Sequence, residues 1–118
     1  NNINLNSNYY EWIEKLVLET PIEDFRKLVI DLILAPYLIN VKKLSYSESY
    51  TIIKNWLDKC NALQKLDNYR NFEFRINCDL KTSNKKLIPP MSYITLKENN
   101  KDLYSLIIQN KKELYRYD

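Results

Sequence analysis

Apolar residues recur every three or four positions along most of this chain, which is the spacing of amphipathic helices. The pattern predicts an all-α fold, a compact bundle of five or six helices. A short first helix is expected from about Tyr9 to Leu18. Thr20, Pro21 and Glu23 then match the start signals of a second helix, with Thr20 as N-cap and Glu23 closing a capping box.

The second helix is apolar on nearly every side as far as Leu38, which predicts a central position in the bundle. Pro36 has no amide hydrogen, so we expect it to kink this helix or to end its regular hydrogen bonding near residues 32–35. Asp31 and Pro36 interrupt the apolar run, which is shorter than the ~20 residues that span a bilayer. A membrane-spanning role is therefore not expected.

The third and fourth helices differ in how clearly the sequence defines them. Ser45 and Glu48 form a capping-box pattern that opens the third helix, the most clearly amphipathic in the chain. A fourth helix is expected from about Tyr69 to Lys81, because apolar residues there step by four. Alternation through Phe72, Phe74 and Ile76 also permits a strand, and the pattern leaves both open.

The remaining segments complete the bundle. Residues 81–88 read as a basic loop that ends at two prolines, and a helical turn is expected to start at Ser92. The last helix is predicted over residues 99–114. The polar, low-complexity residues 1–8 predict a flexible leader, and the absence of a linker or internal repeat predicts one helical domain over residues 9–118.

Composition excludes several chemistries. The chain has no Gly and no His, so it lacks the glycine loops that cradle nucleotide phosphates and the commonest general base and metal ligand. Its two cysteines, Cys60 and Cys78, cannot build a four-cysteine cluster. The sequence favours buried free thiols over a disulfide between these two residues, but it leaves both alternatives open. Together with the lack of a signal peptide, free thiols suit a reducing compartment and predict a cytoplasmic location.

Charge is unevenly distributed. Residues 1–40 carry a net charge of −3, whereas residues 41–118 carry +6. Four lysines and no acid lie between Leu80 and Glu98. Such asymmetry suits one anionic partner and a different second face, although a run of lysines is often only a solvated surface.

Arg26 is the first candidate ligand-binding residue. A cation near the start of a helix opposes the helix dipole, whereas exposed amides and a guanidinium together suit a phosphate. The alternative is an ion pair with Glu23, Asp24 or another acid. Asp24 is expected to orient Arg26 or to satisfy helix amides.

Other candidates for a nucleotide or nucleic-acid site come from later segments. Arginines and lysines suit phosphates, and tyrosines beside basic segments suit base stacking, whereas Trp56 is expected in the core. Lys85 and Lys86 would extend the basic surface. The candidates besides Arg26 are Asn40, Lys42, Lys43, Arg70, Arg75, Lys81, Tyr37 and Tyr69. The acids are scattered with no DxD motif, so no catalytic or metal site is predicted.

Several segments resemble a known family. TPIEDFR, LAPYLINVK, WLDKC and PMSYITLKENNKDLYSLI are similar to the archaeal primase noncatalytic subunit PriX and to the helix-bundle domains of archaeal plasmid primase–polymerases. The resemblance covers about Trp12 to Ile108. It implies a helical bundle related to the C-terminal domain of the large primase subunit, without its iron–sulfur cluster. Family members usually have Asp-Gly-Arg where this chain has Asp24, Phe25 and Arg26.

The resemblance also implies a function. The chain would be a noncatalytic accessory subunit of a DNA primase, with the catalytic and large primase subunits as partners. It would bind single-stranded DNA template, an initiating nucleoside triphosphate or both, with no permanently bound cofactor. The alternative is a structural adaptor that only docks partner subunits.

Overall fold

The computed structural model describes residues 9–115, with side chains as far as Lys111. This part contains six helices and no strand, which confirms the all-α prediction. Helix α2 begins as Arg26–Val29 and continues through the π-helical turns Ile30–Leu34 and Tyr37–Val41. The others are α1 (Ile13–Val17, π-helical), α3 (Tyr46–Leu63), α4 (Tyr69–Lys86), α5 (Tyr93–Asn99) and α6 (Lys101–Tyr115). The predicted leader at residues 1–8 lies outside the described residues.

Helix α2 forms the centre of the bundle, as its apolar sequence predicts. Residues 29–41 are buried except for Asp31 and Leu32. This helix packs against α3 and α4, while α6 packs against α1 and α5. The Trp56 side chain is buried in the same core, where its Nε1 donates to the carbonyl of Val17 at 3.1 Å. None of the helices in residues 9–115 is long and apolar enough to cross a membrane.

The predicted start of the second helix at Thr20 is wrong. Thr20 is buried, and its hydroxyl donates back to the carbonyl of Leu16 at 2.5 Å, so it closes α1. The Glu23 carboxylate accepts from Asn110 of α6 at 2.7 Å instead of closing a capping box. Helix α2 begins five residues after Pro21, directly after Phe25, which lies in the left-handed region at φ 61°.

Pro36 changes the hydrogen bonding of α2 as predicted. Regular α-helix gives way to π-helical turns on both sides of it. In an α-helix the residue at position 36 would donate to the carbonyl of Leu32, but proline has no amide hydrogen. The Leu32 carbonyl instead accepts from the amide of Met91, at 2.9 Å. The proline therefore opens an attachment point for the segment after α4.

Two capping predictions are confirmed. The Ser45 hydroxyl accepts from the amide of Glu48 at 3.1 Å, and the Glu48 carboxylate accepts from the amide of Ser45 at 3.3 Å, which opens α3. Ser92 accepts from the amide of Thr95 at 3.1 Å and opens α5.

The fourth segment is a helix rather than a strand, and it is longer than predicted. Helix α4 runs to Lys86, so the predicted basic loop at residues 81–88 is wrong for its first six residues. A helix end inside a polar, lysine-rich stretch carries little apolar periodicity, and tertiary contacts decide where it lies. Here the side chain of Asn40 donates to the carbonyls of Ser83 at 2.9 Å and Ile88 at 2.7 Å.

Candidate nucleic-acid interface

The outward face of α4 carries an unbroken row of exposed side chains. Arg70, Phe74, Cys78, Lys81 and Lys85 follow one another at spacings of four, four, three and four residues, which aligns them along one side of a helix. We call this row the α4 stripe. At 1.5 Å per residue it is about 22 Å long. It combines three cations with an aromatic ring and contains no carboxylate.

The opposite side of α4 explains why the stripe faces outward. Phe72, Ile76, Leu80 and Ser83 are buried against the rest of the bundle. Two residues along a helix correspond to a rotation of about 200°, so Phe74 lies opposite Phe72 and Ile76. Its side chain is 75% exposed, the largest value among the big apolar residues that the structure describes.

Phe74 is the site residue that sequence reasoning missed. Alternation through positions 72, 74 and 76 assigned Phe74 to the same face as Phe72 and Ile76 if the segment were a strand. The step of four from Phe72 through Ile76 to Leu80 contained the needed signal, because it leaves residue 74 outside the buried row.

The stripe has the chemistry of a single-stranded nucleic-acid surface. Lysine and arginine side chains attract backbone phosphates, and an exposed aromatic ring offers a stacking platform to any base. At the ~3.4 Å rise of stacked bases, a length of about 22 Å corresponds to about six nucleotides.

Arg75 lies beside the stripe, near a pair of carboxylates that join two helices. Asp79 of α4 is half-buried, with its Oδ2 fully buried and without a hydrogen-bond partner. Burial and the nearby Asp31 carboxylate of α2 raise the pKa of Asp79 to about 6, while the charge of Arg75 opposes this rise. The sequence, in which the two acids are 48 residues apart, did not indicate this pair.

Arg26 lies at the first residue of α2, as its candidate role requires, and points toward the end of another helix. Its Nη1 donates to the carbonyl of Gln64 at 2.7 Å and lies 3.5 Å from that of Cys60. Gln64 is the C-cap of α3, so the guanidinium lies where the dipole of α3 favours a cation. The remaining N–H donors, on Nη2 and Nε, are outside these two bonds.

A surface pocket of about 380 Å³ opens beside Arg26. It lies at the junction between the start of α2 and the segment that joins α3 to α4. Its lining includes Phe25, Arg26, Lys27, Leu66 and Phe72. The carboxylates of Asp24 and Asp67 also line the pocket and offset the two cations. The apolar and aromatic side chains suit the flat ring of a ligand, with Arg26 and Lys27 as the phosphate contacts.

Two of the candidate residues lie in the core. Tyr37 is 1% exposed, and its hydroxyl donates to the Glu14 carboxylate. Burial, followed by that hydrogen bond, raises the pKa of Tyr37. Asn40 is also buried, where it holds the end of α4. Neither side chain is placed on a surface that a base or phosphate reaches.

The other candidates are distributed around the molecule. Lys42 pairs with Glu14 at 3.4 Å, and Lys43 is exposed in a left-handed turn after α2. The ring of Tyr69 lies under the Lys54 ammonium, 5.0 Å from Nζ, and its hydroxyl bonds to Asp58. Of the predicted residues, Arg70 and Lys81 lie on the stripe together with Lys85, which was expected to extend the basic surface, and Arg75 lies beside it.

The two thiols have different environments. Both are free, with Cys60 buried and Cys78 exposed on the stripe. The expectation of buried thiols is therefore right for Cys60 and wrong for Cys78. Burial raises the pKa of Cys60 to about 11, which makes that thiol unreactive near neutral pH.

The fold and this surface define a class of protein, an all-helical bundle with a cationic outer helix. Within residues 9–115, no group of three or more acidic or cysteine side chains is placed to hold a metal ion. The sequence matches the PriX family, described as Primase X, over residues 10–111. The chain therefore belongs to the PriX family, whose name indicates a primase-associated role. No curated protein matches the chain.

Proposed function

We propose that this chain is a noncatalytic subunit of a DNA primase that holds single-stranded template on the α4 stripe. A separate catalytic subunit synthesises the primer. The observation that carries the proposal is the exposed Phe74 ring between Arg70 and Lys81 on one helical face, in a member of a primase family.

The side chains that the described part brings together support the proposed noncatalytic role. Phosphoryl transfer by two metal ions needs several carboxylates around the metals. Asp31 and Asp79 are two carboxylates without a third, and Arg75 lies next to them. The chain also has no histidine to act as a base.

A nucleotide arm of the same function is assigned to the pocket beside Arg26. The free donors of Arg26 and the ammonium of Lys27 would meet the phosphates of an initiating nucleoside triphosphate, and Phe25 would contact its base. No cofactor is bound permanently in this scheme. The catalytic and large primase subunits are the expected partners.

The template arm is tested by fluorescence anisotropy of a labelled oligonucleotide over a salt series. Replacing Lys81, Lys85 and Arg70 by glutamine should weaken binding at least tenfold at ~0.1 M salt and reduce the salt slope by about 2, since each single-strand phosphate contact contributes ~0.7. The matched control replaces the exposed Lys59, Lys65 and Lys101, which changes net charge equally. Equal losses of oligonucleotide affinity in both triple variants would show that binding comes only from nonspecific electrostatic attraction.

The stacking contact has its own test. Phe74→Ala should weaken oligonucleotide binding by about 1–3 kcal/mol, and Phe74→Tyr should retain it, because both rings offer a face to a base. In a reconstituted primase, the same substitutions should lower primer synthesis in parallel. Unchanged affinity for Phe74→Ala would remove the stripe from the proposal.

Cys78 is an attachment site for a fluorescent label on the α4 stripe, so no cysteine has to be introduced. A thiol-reactive fluorophore should attach at Cys78 and spare the buried Cys60. Oligonucleotide binding should then change the emission of the probe.

If the chain binds no single strand at low salt and still joins a primase complex, it is the adaptor rather than the template-binding subunit.

A further inference from the structure

The segment between α4 and α5 is held firmly against the central helix. We call residues 87–92 the strap. Near its start, Asn40 donates to the carbonyl of Ile88 at 2.7 Å, and near its end the Met91 amide donates to the carbonyl of Leu32 at 2.9 Å. The Asn100 side chain also reaches the Met91 sulfur at 3.7 Å. These bonds fix both ends of the strap.

The two attachment points define its direction. Leu32 and Asn40 are eight residues apart on α2, with Asn40 nearer its end. The strap meets Asn40 at Ile88 and Leu32 at Met91, so it runs antiparallel to α2. Pro89 and Pro90 restrict it further, because each proline ring fixes one backbone angle.

The strap region is where aliphatic side chains reach solvent. Leu87 at its start is 59% exposed, and Ile94 just after its end is 64% exposed. Leu32 on α2, whose carbonyl accepts from the Met91 amide, is 40% exposed. In the part of the chain that the structure describes, the only other exposed large aliphatic residue is Leu63 on α3.

The backbone at Leu87 adds a second observation. This residue has φ 51° and forms the C-cap of α4, a conformation that glycine or asparagine adopts at low cost. Leucine there is strained, and its side chain is also exposed to water. Strain of this kind is typical of binding and switch regions. Phe25 and Lys43 share this left-handed conformation, and among the four such residues that the structure describes only Asn68 has a side chain that suits it.

Charge indicates the chemistry of the partner. Exposed lysines flank the strap, with Lys86 before it and Lys97 after it, and the sequence has no acid between Leu80 and Glu98. A surface that covers the strap is therefore apolar and bordered by carboxylates. Leucine and isoleucine offer no ring for bases to stack on, which favours a protein surface over a nucleic acid.

We propose that the strap, with Leu32, Leu87 and Ile94, is a docking surface for an apolar, acid-bordered face of a primase subunit. The proposal rests on the proposed function for the identity of this partner. It separates two surfaces of the chain, one aromatic and cationic for template and one aliphatic for protein. Because both ends of the strap are fixed, binding requires little ordering of its backbone.

The test is calorimetric titration of the chain with the purified catalytic and large primase subunits. Leu87→Asn/Ile94→Gln should weaken binding to one of them at least tenfold. Asparagine suits the left-handed backbone, and Ile94 is exposed, so this variant should fold. Leu63→Gln, at a similarly exposed leucine on α3, should stay within twofold of the unsubstituted chain.

A second variant tests the charged border. Lys86→Gln/Lys97→Gln should slow association with the same subunit and reduce its dependence on salt, because charges at the edge of an interface act on encounter. Affinity of Leu87→Asn/Ile94→Gln for single-stranded DNA should remain unchanged.

Each contrary outcome has a distinct meaning. If the unsubstituted chain binds neither subunit, both this inference and the proposed function are overturned. If it binds and Leu87→Asn/Ile94→Gln binds equally well, only the docking surface is overturned. If Leu87→Asn/Ile94→Gln keeps subunit binding but loses oligonucleotide binding, the surface binds nucleic acid. If it keeps subunit binding but loses self-association measured by sedimentation, the surface binds a second copy of the chain. Either result overturns the docking surface as well.

Discussion

The Nη1 atom of Arg26 lies 2.7 Å from the carbonyl oxygen of Gln64, which joins the first residue of α2 to the C-cap of α3. The dipole of α2 disfavours a cation at that position, whereas the dipole at the end of α3 favours one. The same side chain is thus unfavourable for its own helix and favourable for a neighbouring helix.

This contact predicts that Arg26→Ala lowers the free energy of unfolding by about 1–2 kcal/mol, because a charge-assisted hydrogen bond to a helix end is lost. Urea denaturation followed by circular dichroism measures the change. The exposed neighbour Lys27→Ala is the control and should have little effect. An unchanged midpoint for Arg26→Ala would show that its structural role is negligible and leave only its predicted ligand contact.

Phe25 gives a prediction about backbone strain. Its φ of 61° costs a non-glycine residue about 1–2 kcal/mol. Phe25→Gly should therefore be about 1 kcal/mol more stable than Phe25→Ala, although both lose the same partly buried ring. At a residue with ordinary negative φ the order is reversed, since glycine is the less stable of the two. Thermal unfolding of the two variants decides between these orders.

Asn40 should behave as a structural residue. Its amide nitrogen donates to two carbonyls at the end of α4 and in the strap. Asn40→Ala should lower the free energy of unfolding by about 1–3 kcal/mol, because two hydrogen bonds of the buried amide are lost, although the Ser83 carbonyl still accepts from the amide of Ile88. Asn40→Asp should cost at least as much, since a carboxylate would face both oxygens. Wild-type stability for both variants in urea denaturation would contradict this role.

Asp79 should make stability depend on pH. The pKa of this carboxyl is raised from 3.8 to about 6, by burial first and then by Asp31. Between these values the folded state holds a proton that the unfolded state has released, so stability falls as pH rises from about 4 to 6. Above pH 6 the full penalty applies.

Asp79→Asn removes that penalty. It should raise the free energy of unfolding at pH 7.5 by about 1–2 kcal/mol, a value reduced for a half-exposed site, and by less at pH 4. Urea denaturation at the two pH values measures the difference. The exposed Asp67→Asn serves as control. An equal effect of Asp79→Asn at both pH values would exclude the titration of Asp79 as the cause.

Local signals explain why much of the fold was predictable. The apolar periodicity around Ile53 and Leu57 and the Ser45–Glu48 capping box act within one or two helical turns, so sequence alone located α3. The same holds for Ser92 at the start of α5. Thr20 shows the limit of such signals, because its hydroxyl had a nearer acceptor in α1.

The candidate site was less predictable, because residue type alone does not determine where a side chain points. Arginine and lysine in α4 indicated phosphate binding. Phe74 lies in the core if its segment is a strand and on the surface if the segment is a helix. The short alternating pattern of that segment did not decide between the two. Tyr37 and Asn40 had suitable chemistry for a ligand site and are buried.

By itself, the sequence determined the helical class, most helix positions, the exclusion of glycine-loop and histidine chemistry, and the family resemblance. These follow from composition and from interactions between residues close in the chain. Only the tertiary structure decided that Arg26 reaches Gln64, that Asn40 holds the end of α4, and that Asp31 meets Asp79. Those contacts join residues 38 to 48 positions apart, and helix packing rather than local periodicity brings them together.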